Sequence, residues 1–330
     1  MKKIFVFILT VFAVLSFSVS CVTPPPAETP PPAAQVTHVE TPPLAVVQLP
    51  PQAQSQQPDL EPQLPVVQES RDNSLKLGNF NIYTLVDSER DGDVSIIPGA
   101  SEAILNRYIP ASGFRHSTNA FLIKANGQNI LVDTGFGNTL LEKLEELGIA
   151  PEQINVILLT HMHGDHIGGL VRDGRPVFPR AKIYVNTIEL DHFTRVAPSQ
   201  GALDVMNAYR ANIETFHAHH LGFVFREVYP GIRAIASYGH TPGHTAFMIV
   251  SGRERLIIAG DFLHVALVQF PHPEISATFD MDQNAAAASR RHIMEYAARR
   301  HIPVAGMHIP YPGIGYVETD GHGFKFTPIR

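Results

Sequence analysis

The chain has 330 residues, 44% of them hydrophobic, with a net charge of −6. That is enough apolar material for one large core, and the mild acidity gives no electrostatic footing for nucleic acid, which favours a basic stripe. A lone cysteine, Cys21, excludes an internal disulfide.

The N-terminus has the pattern of an address. Lys2 and Lys3 precede an apolar run from Ile4 to about Leu15, then small residues and Cys21. The run is too short for a comfortable membrane span and fits a secretory signal over residues 1–20. Cysteine after small residues resembles a bacterial lipoprotein signal, in which Cys21 becomes the lipidated first residue and anchors an exported protein facing the periplasm or cell exterior. Ser18 departs from the usual aliphatic residue, so ordinary cleavage to a soluble periplasmic form stays open. Residues 21–74 read as a tether. Thirteen of the 27 prolines fall within 21–70, which carry no Lys or Arg. Such a segment cannot pack a core, and fully extended it would reach on the order of 150 Å at about 3.1 Å per residue.

From residue 75 onward short apolar strands alternate with helices. Strands are predicted at Phe80–Leu85, Ala120–Ile123, Ile130–Val132, Val156–Leu159, Lys182–Val185, Ile232–Ala236, Ala246–Val250 and Leu256–Ala259. A helix is predicted over Thr139–Leu147, with Thr139 and Glu142 as a capping box, Leu140, Leu141, Leu144 and Leu147 as the apolar face, and Gly148 as its stop. A second runs from Gln283 to about Arg300 behind Asp282 as cap. Periodicity alone supports a mixed α and β fold.

The chemistry concentrates at strand ends. Residues 160–166 read Thr-His-Met-His-Gly-Asp-His, directly after the apolar run Asn155–Thr160. His161 and His163 are two apart, so on extended backbone both imidazoles project to one side. Gly164 allows a turn that aims Asp165 and His166 at a second position nearby. Imidazoles and carboxylates so grouped suit a divalent metal such as zinc, and their arrangement suggests two ions; Mn²⁺, Fe²⁺ and Co²⁺ suit the same donors. Further candidates follow in order: the turn Gly239–His244, with His244 as the expected donor and His240 as structural, then Asp261 after Leu256–Ala259, then His308.

The order HxHxDH, then His, Asp and His resembles the metallo-β-lactamase superfamily over residues 75–330, and Leu131-Val132-Asp133-Thr134-Gly135 is similar to that superfamily's early strand and turn. Ser117–Phe121, Gly260–Val265, Val268–Pro271 and Pro312–Gly315 resemble its methyl parathion hydrolase and lactonase branch. The resemblance implies an α+β, four-layer αββα sandwich of two mixed sheets flanked by helices. It implies one metal on His161, His163 and His244, another on Asp165, His166 and His308, and Asp261 bridging both. Two ions about 3.5–4 Å apart would share a bridging hydroxide that attacks a carbonyl or phosphoryl centre. Asp165 and Asp261 would serve catalysis, Asp165 through a spare carboxylate oxygen that orients the nucleophile or carries a proton. Asp133 reads as taking the second N–H of a ligating imidazole or as forming the turn before Thr134-Gly135, and His264 as facing the substrate or as a buried structural histidine.

Departures narrow the choice. His163 stands where oxygen-reducing diiron relatives have a glutamate, and no cysteine matches that of many β-lactamases. The chain has no tryptophan, so a tryptophan-lined pocket of parathion-degrading relatives would have to be built differently. The expectation is a hydrolase of lactones or aryl esters, with phosphotriesters secondary. Its alternatives are a β-lactam hydrolase and, from another class, a non-catalytic metal-binding or adhesive lipoprotein. Phe262, Phe270, Phe279 and Tyr311 are aromatic candidates for an apolar pocket without an assigned role.

Overall fold

The computed structural model describes residues 74–220 and 227–329. The expected signal over residues 1–20, the expected tether as far as residue 73 and Cys21 lie outside the described residues. The first sheet begins with β1 (Leu75–Leu77), β2 (Phe80–Asp91), β3 (Arg115–Ala125), β4 (Gln128–Val132) and β5 (Val156–Leu158). After a small hairpin, β6 (Val171–Arg172) and β7 (Arg175–Pro176), it is completed by β8 (Lys182–Asn186) and β9 (Ile213–Phe216). Pairing is antiparallel from β1 to β4 and parallel from β4 through β5 and β8 to β9.

The second sheet holds β10 (Glu227–Tyr229), β11 (Ile232–Ala236), β12 (Thr245–Ser251), β13 (Glu254–Ile258), β14 (Val304–Ala305), β15 (Ile314–Asp320) and β16 (Gly323–Pro328). Only the β13–β14 pair is parallel. The helices are α1 (Glu102–Tyr108), α2 (Leu140–Glu146), α3 (Gly164–Ile167), α4 (Thr187–Asp191), α5 (Gln200–Tyr209), α6 (Ala266–Gln269) and α7 (Gln283–Arg300).

Alternation along the strands builds the layers. Phe121 and Ile123 of β3 meet Phe247 and Ile249 of β12 in a core between the sheets. Leu122, between them, faces the other way and joins Leu140 and Leu144 of α2 and Ala202 and Val205 of α5. In the second sheet Ala246 and Met248 pack on Ile293, Met294 and Ala297 of α7. This period of two, read against helices on both outer faces, gives the αββα sandwich. At about 25 cal/mol per Å² of apolar area, the three apolar interfaces dominate its stabilisation.

The caps separate what local sequence decides from what it does not. Asp282 accepts the Ala285 N–H at 3.0 Å and starts α7 as predicted. Thr139 does not cap α2 through its side chain. Its hydroxyl donates back to the carbonyls of Val86 and Asp87, and the Asp87 carboxylate, 52 residues away, accepts the N–H groups of Thr139 and Leu140 at 3.0 and 3.1 Å. A carboxylate at a helix N-terminus satisfies orphan donors and opposes the positive end of the helix dipole; here it comes from β2.

Candidate metal centre

β5 ends at Leu158, and the extended segment beyond it carries His161 and His163 before α3 begins. Their side chains meet: His161 Nε2 lies 3.0 Å from His163 Nδ1. The third imidazole at this point belongs to His240, whose Nε2 is 3.2 Å from His161 Nε2 and 3.0 Å from His163 Nδ1. The expected partner, His244, is elsewhere. Its Nδ1–H donates to the Ser237 carbonyl at 2.9 Å, and its Nε2 accepts the Asp261 N–H at 3.0 Å. Both ring nitrogens are used in holding backbone, which corrects the grouping implied for His244 and the structural reading of His240.

Tautomers can be assigned from the partners. The Thr160 hydroxyl donates to Asp133 Oδ2 at 2.6 Å, so it accepts from His161 Nδ1–H at 3.1 Å. His240 Nδ1–H donates to Asp280 Oδ1 at 2.9 Å. Each imidazole therefore turns a bare Nε2 lone pair towards the other. Two facing lone pairs repel unless a cation stands among them. Zinc–nitrogen bonds of about 2.0–2.1 Å place tetrahedral donors about 3.3–3.4 Å apart, close to the spacing found. The donors fit a divalent metal.

A second group stands beside the first. Asp165, His166, Asp261 and His308 bring one donor atom each within 4.8 Å of one another. His166 Nδ1 donates to Asp133 Oδ2 at 2.7 Å, and His308 Nδ1 to the Ser117 carbonyl at 2.8 Å, leaving both Nε2 atoms for the interior. Asp261 faces both groups. Its Oδ1 is 3.2 Å from His166 Nε2, and its Oδ2 is 3.0 Å from His308 Nε2 and 3.4 Å from His240 Nε2. Asp165 Oδ2 lies 3.5 Å from His308 Nε2. His166 Nε2 and Asp261 Oδ1 are buried without hydrogen-bond partners, as open donors for an ion would be.

The charges tell the same story. Burial opposes ionisation of Asp261, but His166, His308 and His161 override it and hold the carboxyl well below its ordinary value. Burial equally opposes charge on His166, yet Asp261, Asp165 and Asp133 hold that imidazole well above its ordinary value. The carboxylates call for positive charge, which a metal supplies in place of protons. His161 is driven well below its ordinary value by burial and His166, and His163 down to about 4 by burial and His240.

The surroundings explain why these positions converge. Asp133 sits in the left-handed region at φ 58° and is held there by the Thr160 N–H on Oδ1, at 2.8 Å, besides Thr160 and His166 on Oδ2. Gly260, at φ 59°, turns the chain from β13 into Asp261, and a Cβ there would stand 2.5 Å from His244 Nε2. Buried Glu189 accepts the N–H groups of Met162 and Gly243 and the Thr241 hydroxyl, tying the His161 segment to the His240 turn. Asp280 fixes His240 and is itself paired with buried Arg290 at 3.1 Å. Asn119 donates to the carbonyls of Gly306 and Ile309, gripping the loop that carries His308.

A cavity of about 350 Å³ opens over the two groups, lined among others by Phe136, Phe279, His264, His116 and Arg90. His264 Nε2 is 3.3 Å from Asp261 Oδ2, and its Nδ1 is buried without a partner. Of the aromatic candidates only Phe279 lines this cavity; Phe262 and Phe270 belong to the core, and Tyr311 borders a separate hollow. Sequence reasoning missed Glu189, Asp280 and Arg290, whose roles depend on contacts across the fold.

His244 gives a pH-dependent stability. Burial first, then the charge of His240, push its pKa down from 6.5 to about 3. Below pH 6.5 the unfolded chain takes up this proton and the folded chain does not, so stability is complete above 6.5 and drains away as pH falls towards 3. The slope is up to about 1.4 kcal/mol per pH unit. In urea unfolding of the metal-free protein, the advantage of wild type over His244→Gln shrinks by about 2 kcal/mol between pH 7 and pH 5. A constant difference would mean that His244 is charged in the fold.

The fold and donors define a class: an αββα sandwich with a candidate divalent-metal site at its strand ends. Residues 113–300, more than half of the chain, match the Metallo-beta-lactamase superfamily, and the chain belongs to it. Among solved structures it is similar to AidC, a dizinc quorum-quenching lactonase in complex with a product N-hexanoyl-L-homoserine. The two share 26% identity and a TM-score of 0.70 over 78% of this chain and 97% of that one. The hydrolase AbOPH gives 27% identity and a TM-score of 0.70 over the same shares. Among curated relatives, the beta-lactamase-like protein 2 homolog of Caenorhabditis elegans is 29% identical over 147 residues, 44% of this chain and 43% of its own length. YobT of Bacillus subtilis is 28% identical over 151 residues, 43% of this chain and 60% of its own length. The chain thus spans about half the length of these relatives.

Proposed function

We propose that this protein is a dinuclear metal-dependent hydrolase that opens lactones or cleaves aryl esters, with phosphotriesters as a secondary substrate class. The observation that carries the reading is the convergence of two donor groups on Asp261, one of imidazole lone pairs and one rich in carboxylate. His161, His163 and His240 would hold one ion, Asp165, His166 and His308 the other, and Asp261 both. Bound divalent ions supply a water of lowered pKa and polarise the carbonyl under attack. Zinc suits the donor set, and Mn²⁺, Fe²⁺ or Co²⁺ are alternatives.

The chain's own residues do the rest. Asp165, which lines the cavity, has a carboxylate edge with which to orient the attacking water and accept its proton. His264 turns its Nε2–H towards Asp261 Oδ2 at 3.3 Å and helps to hold that carboxylate in place. Asp133 and the Ser117 carbonyl fix the tautomers of His166 and His308. Phe136 and Phe279 supply an apolar wall for an acyl or aryl group. The likeness to AidC supports a lactone substrate.

Export through the N-terminal signal and lipid anchoring at Cys21 complete the proposal; among the described residues no helix is long and apolar enough to cross a membrane. The test is kcat/KM of the zinc-loaded protein on a homoserine lactone, an aryl ester, a methyl phosphotriester and a β-lactam. Turnover is expected to be strongest on the lactone or aryl ester. A β-lactam preference, or no turnover on any of the four with two ions bound, would overturn the substrate assignment.

A further inference from the structure

One wall of the cavity is not used by the chemistry above. Strands β2 and β3 pair antiparallel with Arg90 directly opposite His116, flanked by Glu89 opposite Ser117 and Asp91 opposite Arg115. Paired residues share a face and alternate along the strand. Arg90 and His116 therefore stand side by side facing the cavity, and both line it. On the opposite face Arg115 takes Asp91 at 2.7 Å and Glu89 at 3.9 Å. None of the ion pairs found among the described residues includes Arg90. Its other acidic neighbour, Asp93, is engaged by the N–H and hydroxyl of Ser95 at 2.8 and 2.7 Å.

His116 is the more telling of the two. It is 4% exposed, and neither of its ring nitrogens has a hydrogen-bond partner. Its ring lies over that of His308 with centroids 4.5 Å apart, which places it against the donor cluster. A buried imidazole with two unsatisfied nitrogens costs stability unless something outside the chain completes it. An imidazole carries at least one N–H in either tautomer, so His116 has a hydrogen to donate and no acceptor for it among the described residues. An isolated arginine at a rim is ordinarily a solvated surface charge. A buried, unsatisfied N–H beside it, on the same cavity wall, is a pair of donors without an acceptor.

Resting on the hydrolase reading, we infer that Arg90 and His116 form a subsite for an anionic oxygen group, carboxylate or phosphate, carried by the substrate beside its scissile bond. The physiological substrate is then an anionic ester or lactone, and not an uncharged one. A guanidinium suits such a group, because its fork matches two oxygens at once.

The test compares nitrophenyl esters of pentanoic, glutaric and phosphonobutyric acid, which differ in ending on a methyl, a carboxylate or a phosphonate. Wild type is expected to favour an anionic ester over the neutral one in kcat/KM, mainly through KM, on the order of tenfold. Carboxylate or phosphonate, whichever gains more, names the group. In Arg90→Gln the ratio collapses towards one. In His116→Phe, which keeps a ring over His308 but has no N–H, it falls by part of that amount; a merely structural stacking role would leave it unmoved. No preference in wild type, or a preference that survives Arg90→Gln, overturns the subsite. Calorimetry of glutarate against butyrate, on zinc-loaded wild type and Arg90→Gln, reads the same ratio without turnover. If no ester is cleaved but glutarate still gains from Arg90, the hydrolase reading fails and the anion subsite stands.

Discussion

Asp261→Asn is expected to abolish turnover and strip metal while leaving the fold in place. The carboxylate faces both donor groups, 3.2 Å from His166 Nε2 and 3.0 Å from His308 Nε2, with His240 Nε2 at 3.4 Å. Asparagine keeps the shape and the backbone N–H that His244 accepts, but removes the negative charge. The variant is expected to retain at most one ion per chain by elemental analysis. Its kcat/KM falls about a thousandfold or more, since a metal site supplies several kcal/mol of transition-state stabilisation. The charges predict a second signature. Asp261 is the largest of the carboxylates that raise His166 and His308 against the cost of burial. Without it, both imidazoles titrate lower in the metal-free protein, which NMR reads directly. Two bound ions and near wild-type turnover in Asp261→Asn would remove the bridging role, and turnover without metal would remove the whole dinuclear reading.

What the sequence conveyed of this centre depended on how local each cause is. His161, His163, Asp165 and His166 lie within six residues at a strand end, so the backbone alone brings them together. Asp133 showed itself by its place at the end of β4, and α7 by its Asp282 cap. Asp261 and His308 lie at strand ends of the second sheet, and pairing of β13 with β14 makes them neighbours. The turn at residues 239–244 offered two histidines four apart, and local sequence gave no reason to choose His240. The choice is made by distant groups: Asp280 anchors His240, while the Ser237 carbonyl and the Asp261 N–H occupy both nitrogens of His244. The α2 cap failed for the same reason, because Asp87 from another strand took the position Thr139 was expected to fill. The layers were legible as far as apolar alternation runs. Short or polar elements such as α1, β15 and β16 carried too weak a period to be predicted.

His240→Ala and His244→Ala should fail in opposite ways, and the contrast decides which histidine belongs to the metal centre. His240 contributes an open lone pair to the His161 and His163 group, and its other nitrogen rests on Asp280. Removing it leaves Asp280 still paired with Arg290 and with the Ala277 N–H, so the metal-free fold loses little. Metal affinity falls by at least on the order of a hundredfold, more than loss of an outer partner would cost. His244 is fully buried and makes two hydrogen bonds to backbone. Its loss orphans a carbonyl and an N–H and opens a cavity, at a cost of about 2–5 kcal/mol. For a domain of this size that lowers Tm by at least about 5 °C. Both variants should be melted without metal, because an ion bound only to the folded state masks the difference. The expected pattern is His240→Ala with a near-normal metal-free Tm and weak metal binding, and His244→Ala with a low Tm and both ions still bound below its melting point. The reverse pattern would return His244 to the metal and make His240 the structural residue. Loss of metal in both variants, with unchanged metal-free stability, would mean that the turn moves as a unit and that neither assignment holds by itself.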